Sequence, residues 1–147
     1  MNPDKFFSKQ EQADIKSAIM EAELNTSGEI RVHIETRLKG DALDRATYLF
    51  ETLGMHKTQQ RNAVLFYLAV ESKKFAILGD AGINLKVPDN FWDIIKLRME
   101  ENFTNGNFTQ GLATGIVLTG EQLKKHFPYK PDDINELTDE ISFGKTQ

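Results

Sequence analysis

Residues Asn62–Val70, NAVLFYLAV, form the longest apolar run in the chain, with only the leading Asn62 strongly polar. A strand with one wet face alternates polar and apolar residues. A strand that is apolar throughout is covered on both faces. This run therefore demands a layer of structure on each side of a sheet. Glu71-Ser72 then separates it from a second strand-like run, Lys73–Leu78, which predicts a hairpin. The connecting pair lacks the Gly or Asn that tight hairpin turns prefer.

The flanking segments supply the layers. Ser8 and Glu11 form an S-x-x-E capping box, and Ala13, Ile15, Ala18, Ile19 and Ala22 follow at helical spacing, predicting a helix from Ser8 to Leu24. Glu29–Arg37 alternates Ile30, Val32 and Ile34 against Arg31, His33 and Glu35, which reads as a strand with one face more buried than the other. Asp41–Leu53 reads as a second helix, with Gly54 suited to its C-terminal cap. Pro88–Glu101 reads as a third helix with Asp89 as its N-cap, and Asn107–His126 as a fourth after the turn FTNGNF. Within the fourth, Gly111 and Gly115 share a face and invite close approach by another element. After Pro128 the chain is polar and acidic, with Ile134, Leu137, Ile141 and Phe143 able to pin it to the body.

The order helix, strand, helix, strand, strand, helix, helix contains one β-α-β unit, whose strands should run parallel. The expected fold is α/β: a three-layer α/β/α sandwich around a small mixed sheet of three to four strands, Rossmann-like. Residues 1–147 read as a single domain, with 128–147 as a polar C-terminal tail.

Composition narrows the function. A chain of 147 residues is long enough for a real core. A net charge of −4 argues against nucleic-acid partners, which need a basic surface. There is no cysteine, so disulfides, thiolate zinc sites and cysteine nucleophiles are all excluded. No signal peptide is recognisable at the start, and no stretch approaches the roughly 20 apolar residues of a membrane span. A cytoplasmic monomer, with a protein partner as one use of its surface, is the expectation. The phosphate loop, the dinucleotide fingerprint, H-E-x-x-H and G-x-S-x-G are all missing, and His33, His56 and His126 are scattered.

If the hairpin holds, the starts of strands one and two and the end of strand three meet at one edge of the sheet. That edge collects Glu29, Arg61, Asn62, Gly79 and Asp80, with Asp89 close behind. Asp80, Asp89, Glu29 and Asn62 are oxygen donors suited to a hard cation, Ca2+ or Mg2+. Arg61 is the candidate for holding phosphate. A purely structural account uses the same residues: Glu29 paired with Arg61, Asp80 capping its own turn, Asp89 capping a helix.

Several stretches together resemble the TPM-domain family. They are Ser27-Gly28-Glu29-Ile30-Arg31-Val32, Asn62-Ala63-Val64-Leu65, the stretch from Gly79 to Asp89, and Phe103 through Gly111 in the pattern F-x-x-G-x-F-x-x-G. The resemblance implies an α/β/α sandwich with a divalent-cation site at the sheet edge, and for some plant members an acid phosphatase activity. Carried over by position, it points to Glu29, Asn62, Gly79, Gly82 and Asp89. Where family members commonly read Gly-Tyr-Gly-Leu-Glu-Gly, this chain reads Gly79-Asp80-Ala81-Gly82-Ile83-Asn84. An Asp thus replaces the aromatic, and Asn84 stands in place of the Glu as a ligand-binding candidate with Gly79, Gly82 and Arg61. Two functions follow as expectations. One is a cation-binding domain with weak metal-assisted phosphatase activity; the other is a non-catalytic interaction or assembly module.

Overall fold

The computed structural model describes residues 3–130 and 136–144. Four strands build one mixed sheet: β1 (Glu29–Glu35), β2 (Ala63–Ala69), β3 (Lys74–Gly79) and β4 (Ser142–Phe143). Their order is β3-β2-β1-β4. β1 runs parallel to β2 and to β4, and β2 runs antiparallel to β3. The hairpin forms without Gly or Asn because Lys73 itself takes the left-handed conformation, at φ +54°.

The helices are α1 (Lys9–Glu23), α2 (Ala42–Thr52), the short α3 (Ala81–Asn84), α4 (Phe91–Thr104) and α5 (Phe108–His126). Both halves of the capping box are made: Glu11 N–H donates to Ser8 Oγ, and Ser8 N–H to Glu11 Oε1, each at 3.0 Å. Every residue of β2 is buried, as its composition requires. Val64, Phe66 and Leu68 face α1, α4 and α5 through Ile15, Ile19, Met99 and Ile116. Ala63, Leu65, Tyr67 and Ala69 face α2 through Ala46, Leu49 and Phe50. The fold is a three-layer α/β/α sandwich.

β1 has one wholly buried face, Ile30, Val32 and Ile34, while on the other α2 covers His33 and Glu35 and Arg31 stays partly exposed. Two local readings change. The link after β3 is not irregular: Asp80 caps a helical turn there, α3. α4 is capped by Asn90 rather than Asp89. α5 packs as its glycines predict. A Cβ on Gly115 would lie 2.6 Å from Met99 of α4, and one on Gly120 would lie 2.7 Å from Ala22 of α1. In the tail, Ile141 and Phe143 join the core, and Leu137 packs on the α2 side. Ile134 lies outside the described residues.

Candidate functional site

The three strand ends meet at one edge. Glu29 is in register with Ala63, and Val64 with Gly79. Glu29 N–H donates to the Asn62 carbonyl at 3.4 Å, and Asp80 N–H to the Ala63 carbonyl at 3.0 Å. The backbones therefore converge as the topology requires. The side chains divide into two groups that line two different cavities.

One group is built around Asp80. Arg61 grips its carboxylate with both arms, Nε to Oδ2 at 2.6 Å and Nη2 to Oδ1 at 2.7 Å. Oδ1 also accepts the Ala81 N–H at 2.7 Å, capping α3. Arg61 reaches this position from a left-handed backbone, φ +52°. Gly82 is needed because its N–H donates to the Arg61 carbonyl at 2.8 Å, and a Cβ there would lie 2.1 Å from the Gln60 carbonyl oxygen. Asn84 donates to the Gly79 carbonyl and accepts from Trp92 Nε1, each at 2.9 Å. A side chain on Gly79 would run into Trp92. Gly79, Gly82, Asn84 and Arg61 thus form a packed corner that holds Asp80 fast. Asp89 is exposed in the turn before α4.

The other group surrounds Glu29, which is 1% exposed. Its Oε1 accepts the Leu137 N–H at 2.6 Å, while Oε2 has no hydrogen-bond partner among the described residues. Burial is the main cause that pushes this carboxyl up to about 7; the Leu137 amide pulls it back in part. Beside it Glu23, at the end of α1, accepts the Ile30 N–H at 2.8 Å. Burial, then a hydrogen bond with Asp139, pushes Glu23 up to about 9. Two carboxyl groups in hydrogen bond share a proton, so the pair carries one charge fewer than two free acids. Asp139 Oδ1 is also buried without a partner, and so is Asn62 Oδ1. Asn62 is turned by its Nδ2, which donates to Ser27 Oγ at 3.3 Å.

Glu23, Glu29 and Asp139 line a cavity of 490 Å³ whose mouth carries Met20, Leu24 and Tyr129. No Lys, Arg or His is among the described residues that line it. A site of this composition attracts cations and repels anions. The three carboxyls are neighbours, yet no three acidic or histidine side chains among the described residues stand gathered as a metal cage.

Glu23 and Asp139 were not among the candidates read from the sequence. Glu23 had a signal: α1 ends in Glu21 and Glu23 with no basic residue in its last turn, against the preference of the helix dipole. Asp139 had none, since the tail has no periodic pattern that would place it.

The chain matches the family model of the TPM domain over residues 1–122. It is similar to the BA42 protein of the psychrophilic bacterium Bizionia argentinensis, whose NMR structure superimposes with a TM-score of 0.88 at 48% identity, covering 95% of this chain and 97% of that one. Two more distant solution structures share the fold. The N-terminal domain of a P. gingivalis protein has a TM-score of 0.70 at 18% identity, over 86% of this chain and 83% of that one. The N-terminal domain of the cg2496 protein of Corynebacterium glutamicum has a TM-score of 0.64 at 15% identity, over 80% and 74%. No functionally curated protein matches the chain.

Proposed function

Because the chain belongs to the TPM-domain family, we propose that it binds a divalent cation, Ca2+ or Mg2+, at the sheet edge, with Glu29 as the anchoring ligand. One observation carries the reading: a carboxylate oxygen, Glu29 Oε2, is buried at the edge of an acidic cavity without a partner. A buried oxygen of this kind costs stability unless something satisfies it. A hard cation would do so and would also relieve the crowding of Glu23 and Asp139. Of the other donors read from the sequence, Asn62 brings a second orphaned oxygen at the same strand ends. Asp80 is committed to Arg61, and Asp89 is exposed in the turn before α4 and lines neither cavity, so both rank behind Glu29.

Metal-assisted hydrolysis of phosphomonoesters is a further use of such an ion, which would polarise a phosphoryl oxygen and activate water. It would need a cationic group to hold the phosphate. Arg61, the candidate for that role, lines the other cavity and is paired with Asp80. The arrangement favours cation binding without efficient catalysis. A non-catalytic interaction module is the second reading. It is supported by the exposed Met20, Leu24 and Tyr129 at the cavity mouth, which add apolar surface beside the acids.

The test is a titration of labelled protein with CaCl2 and with MgCl2, followed by amide NMR. Shifts centred on Ile30 and Glu29, lost in Glu29→Gln and retained in Asp80→Asn, support the reading. Shifts centred on Asp80, or none at all, defeat it. A generic phosphomonoester assay with and without metal separates binding from turnover.

A further inference from the structure

The segment Glu136–Gly144 straps the exposed edge of β1. Leu137 N–H donates to Glu29 Oε1 at 2.6 Å, and Gly144 N–H to the Ile34 carbonyl at 2.8 Å. Between them, Ser142 and Phe143 pair with His33 and Ile34. The strap lies beyond the residues that match the family model. It is what carries Asp139 into the cavity beside Glu29.

Docking the strap brings acid to acid. Glu136 and Asp139 both repel a charge on Glu29, and Glu23 faces them from α1. Three contacts compensate: Glu23 and Asp139 hydrogen-bond to each other, Gln59 N–H donates to Glu136 at 3.2 Å, and Lys16 pairs with Glu140 at the surface. Within the cavity, Glu29, 1% exposed, presents Oε2 without a partner, and Asp139 presents Oδ1 likewise. One oxygen belongs to the body and the other to the strap. The donors do not yet form a cage. An ion held by both oxygens would tie Asp139 of the strap to Glu29 of β1. A ligand that binds one arrangement better shifts the molecule towards it, and the coupling is reciprocal.

We propose that Glu136–Gly144 is a cation-coupled strap: Asp139 ligates the same divalent ion as Glu29, and the bound ion locks the strap along β1. The proposal rests on the cation reading above and adds to it a ligand and a conformational consequence.

The experiment follows hydrogen exchange of the Leu137 and Gly144 amides in the full-length chain. It is done with and without CaCl2, and separately MgCl2, in wild type, Asp139→Asn and the control Glu140→Gln. The expected result is that the cation slows exchange at both amides by about tenfold or more in wild type and in Glu140→Gln. In Asp139→Asn it should do so no longer, with affinity lowered by about tenfold. If the cation shifts Ile30 and Glu29 while strap exchange stays unchanged and Asp139→Asn binds equally well, the strap proposal falls and the cation reading stands. If the cation moves neither, both fall.

Discussion

β1 carries a buried glutamate at each end, and the two live under opposite conditions. Glu29 is 1% exposed and Glu35 is 4% exposed, so burial alone would push both carboxyls up. At Glu35 it does not prevail. His33 Nε2 lies 3.2 Å from Oε2, Arg45 reaches the carboxylate through Nε at 3.1 Å and Nη2 at 2.5 Å, and Tyr67 donates to Oε1 at 2.5 Å. Burial opposes them, yet these partners hold the group down at about 2. Glu29 has only the backbone amides of Leu137 and Glu136 to offset its burial and its acidic neighbours, and it rests at about 7. The contrast separates two reasons for burying a charge. Glu35 is part of the structure: it ties β1, β2 and α2 together, and through His33 and Ser142 it also ties in β4. Glu29 keeps an oxygen without a partner among the described residues, and the cation reading assigns that oxygen to a ligand from outside the chain. A strongly perturbed carboxyl that lacks a partner marks a functional site better than one that is fully satisfied.

If that division is right, the largest loss of stability should come from Glu35. Glu35→Ala leaves the Arg45 guanidinium and the Tyr67 hydroxyl without their acceptor, and should cost about 3–5 kcal/mol in urea unfolding. A cost below about 1 kcal/mol would place Glu35 in the same class as Glu29. Next comes Gly82→Ala. The added methyl meets backbone oxygen rather than a side chain that could turn aside. It should cost about 1–3 kcal/mol while leaving cation affinity at Glu29 unchanged. A loss of cation binding in a folded Gly82→Ala protein would tie the Asp80 corner to the site and undo the separation of the two cavities.

The sequence was informative wherever the physics is local. The wholly apolar Ala63–Ala69 announced two covering layers, the S-x-x-E pair announced the start of α1, and the glycines of α5 announced tight helix contacts. The meeting of Glu29, Asn62 and Asp80 at one edge followed from a single hairpin. What stayed hidden depends on where side chains turn once the backbone is placed. Nothing in Arg61 and Asp80, nineteen positions apart, says that they neutralise each other, since that requires a left-handed arginine and a glycine at position 82. Alternation along β1 showed that one face is more buried than the other but not how deeply His33 and Glu35 lie, because polar residues that satisfy one another inside a protein look the same in sequence as polar residues facing water. Asp139 reaches Glu29 only through an edge strand two residues long, too short to carry any pattern.

The smallest expected effect on stability, and the sharpest test of the contrast, is the pH dependence. Glu35 is lowered in the folded state, so its contribution is present above the unfolded carboxyl value of about 4.3. It is lost as pH falls towards about 2. Glu29 is raised, so the sign reverses. In metal-free buffer its contribution is intact below about 4.3. It is lost as pH rises through about 7, because the unfolded chain ionises this group more easily than the folded one does. Glu29→Gln removes that loss. At pH 8 without metal the variant should therefore be as stable as wild type or more so, while its affinity for Ca2+ falls about tenfold or more. Urea unfolding at pH 5 and pH 8, with chelator and then with CaCl2, measures both. With chelator, wild type should lose stability relative to Glu29→Gln between the two pH values; with CaCl2 at pH 8 the order should reverse. A Glu29→Gln protein that is less stable than wild type at pH 8 in chelator would mean that Glu29, like Glu35, is there to hold the fold together.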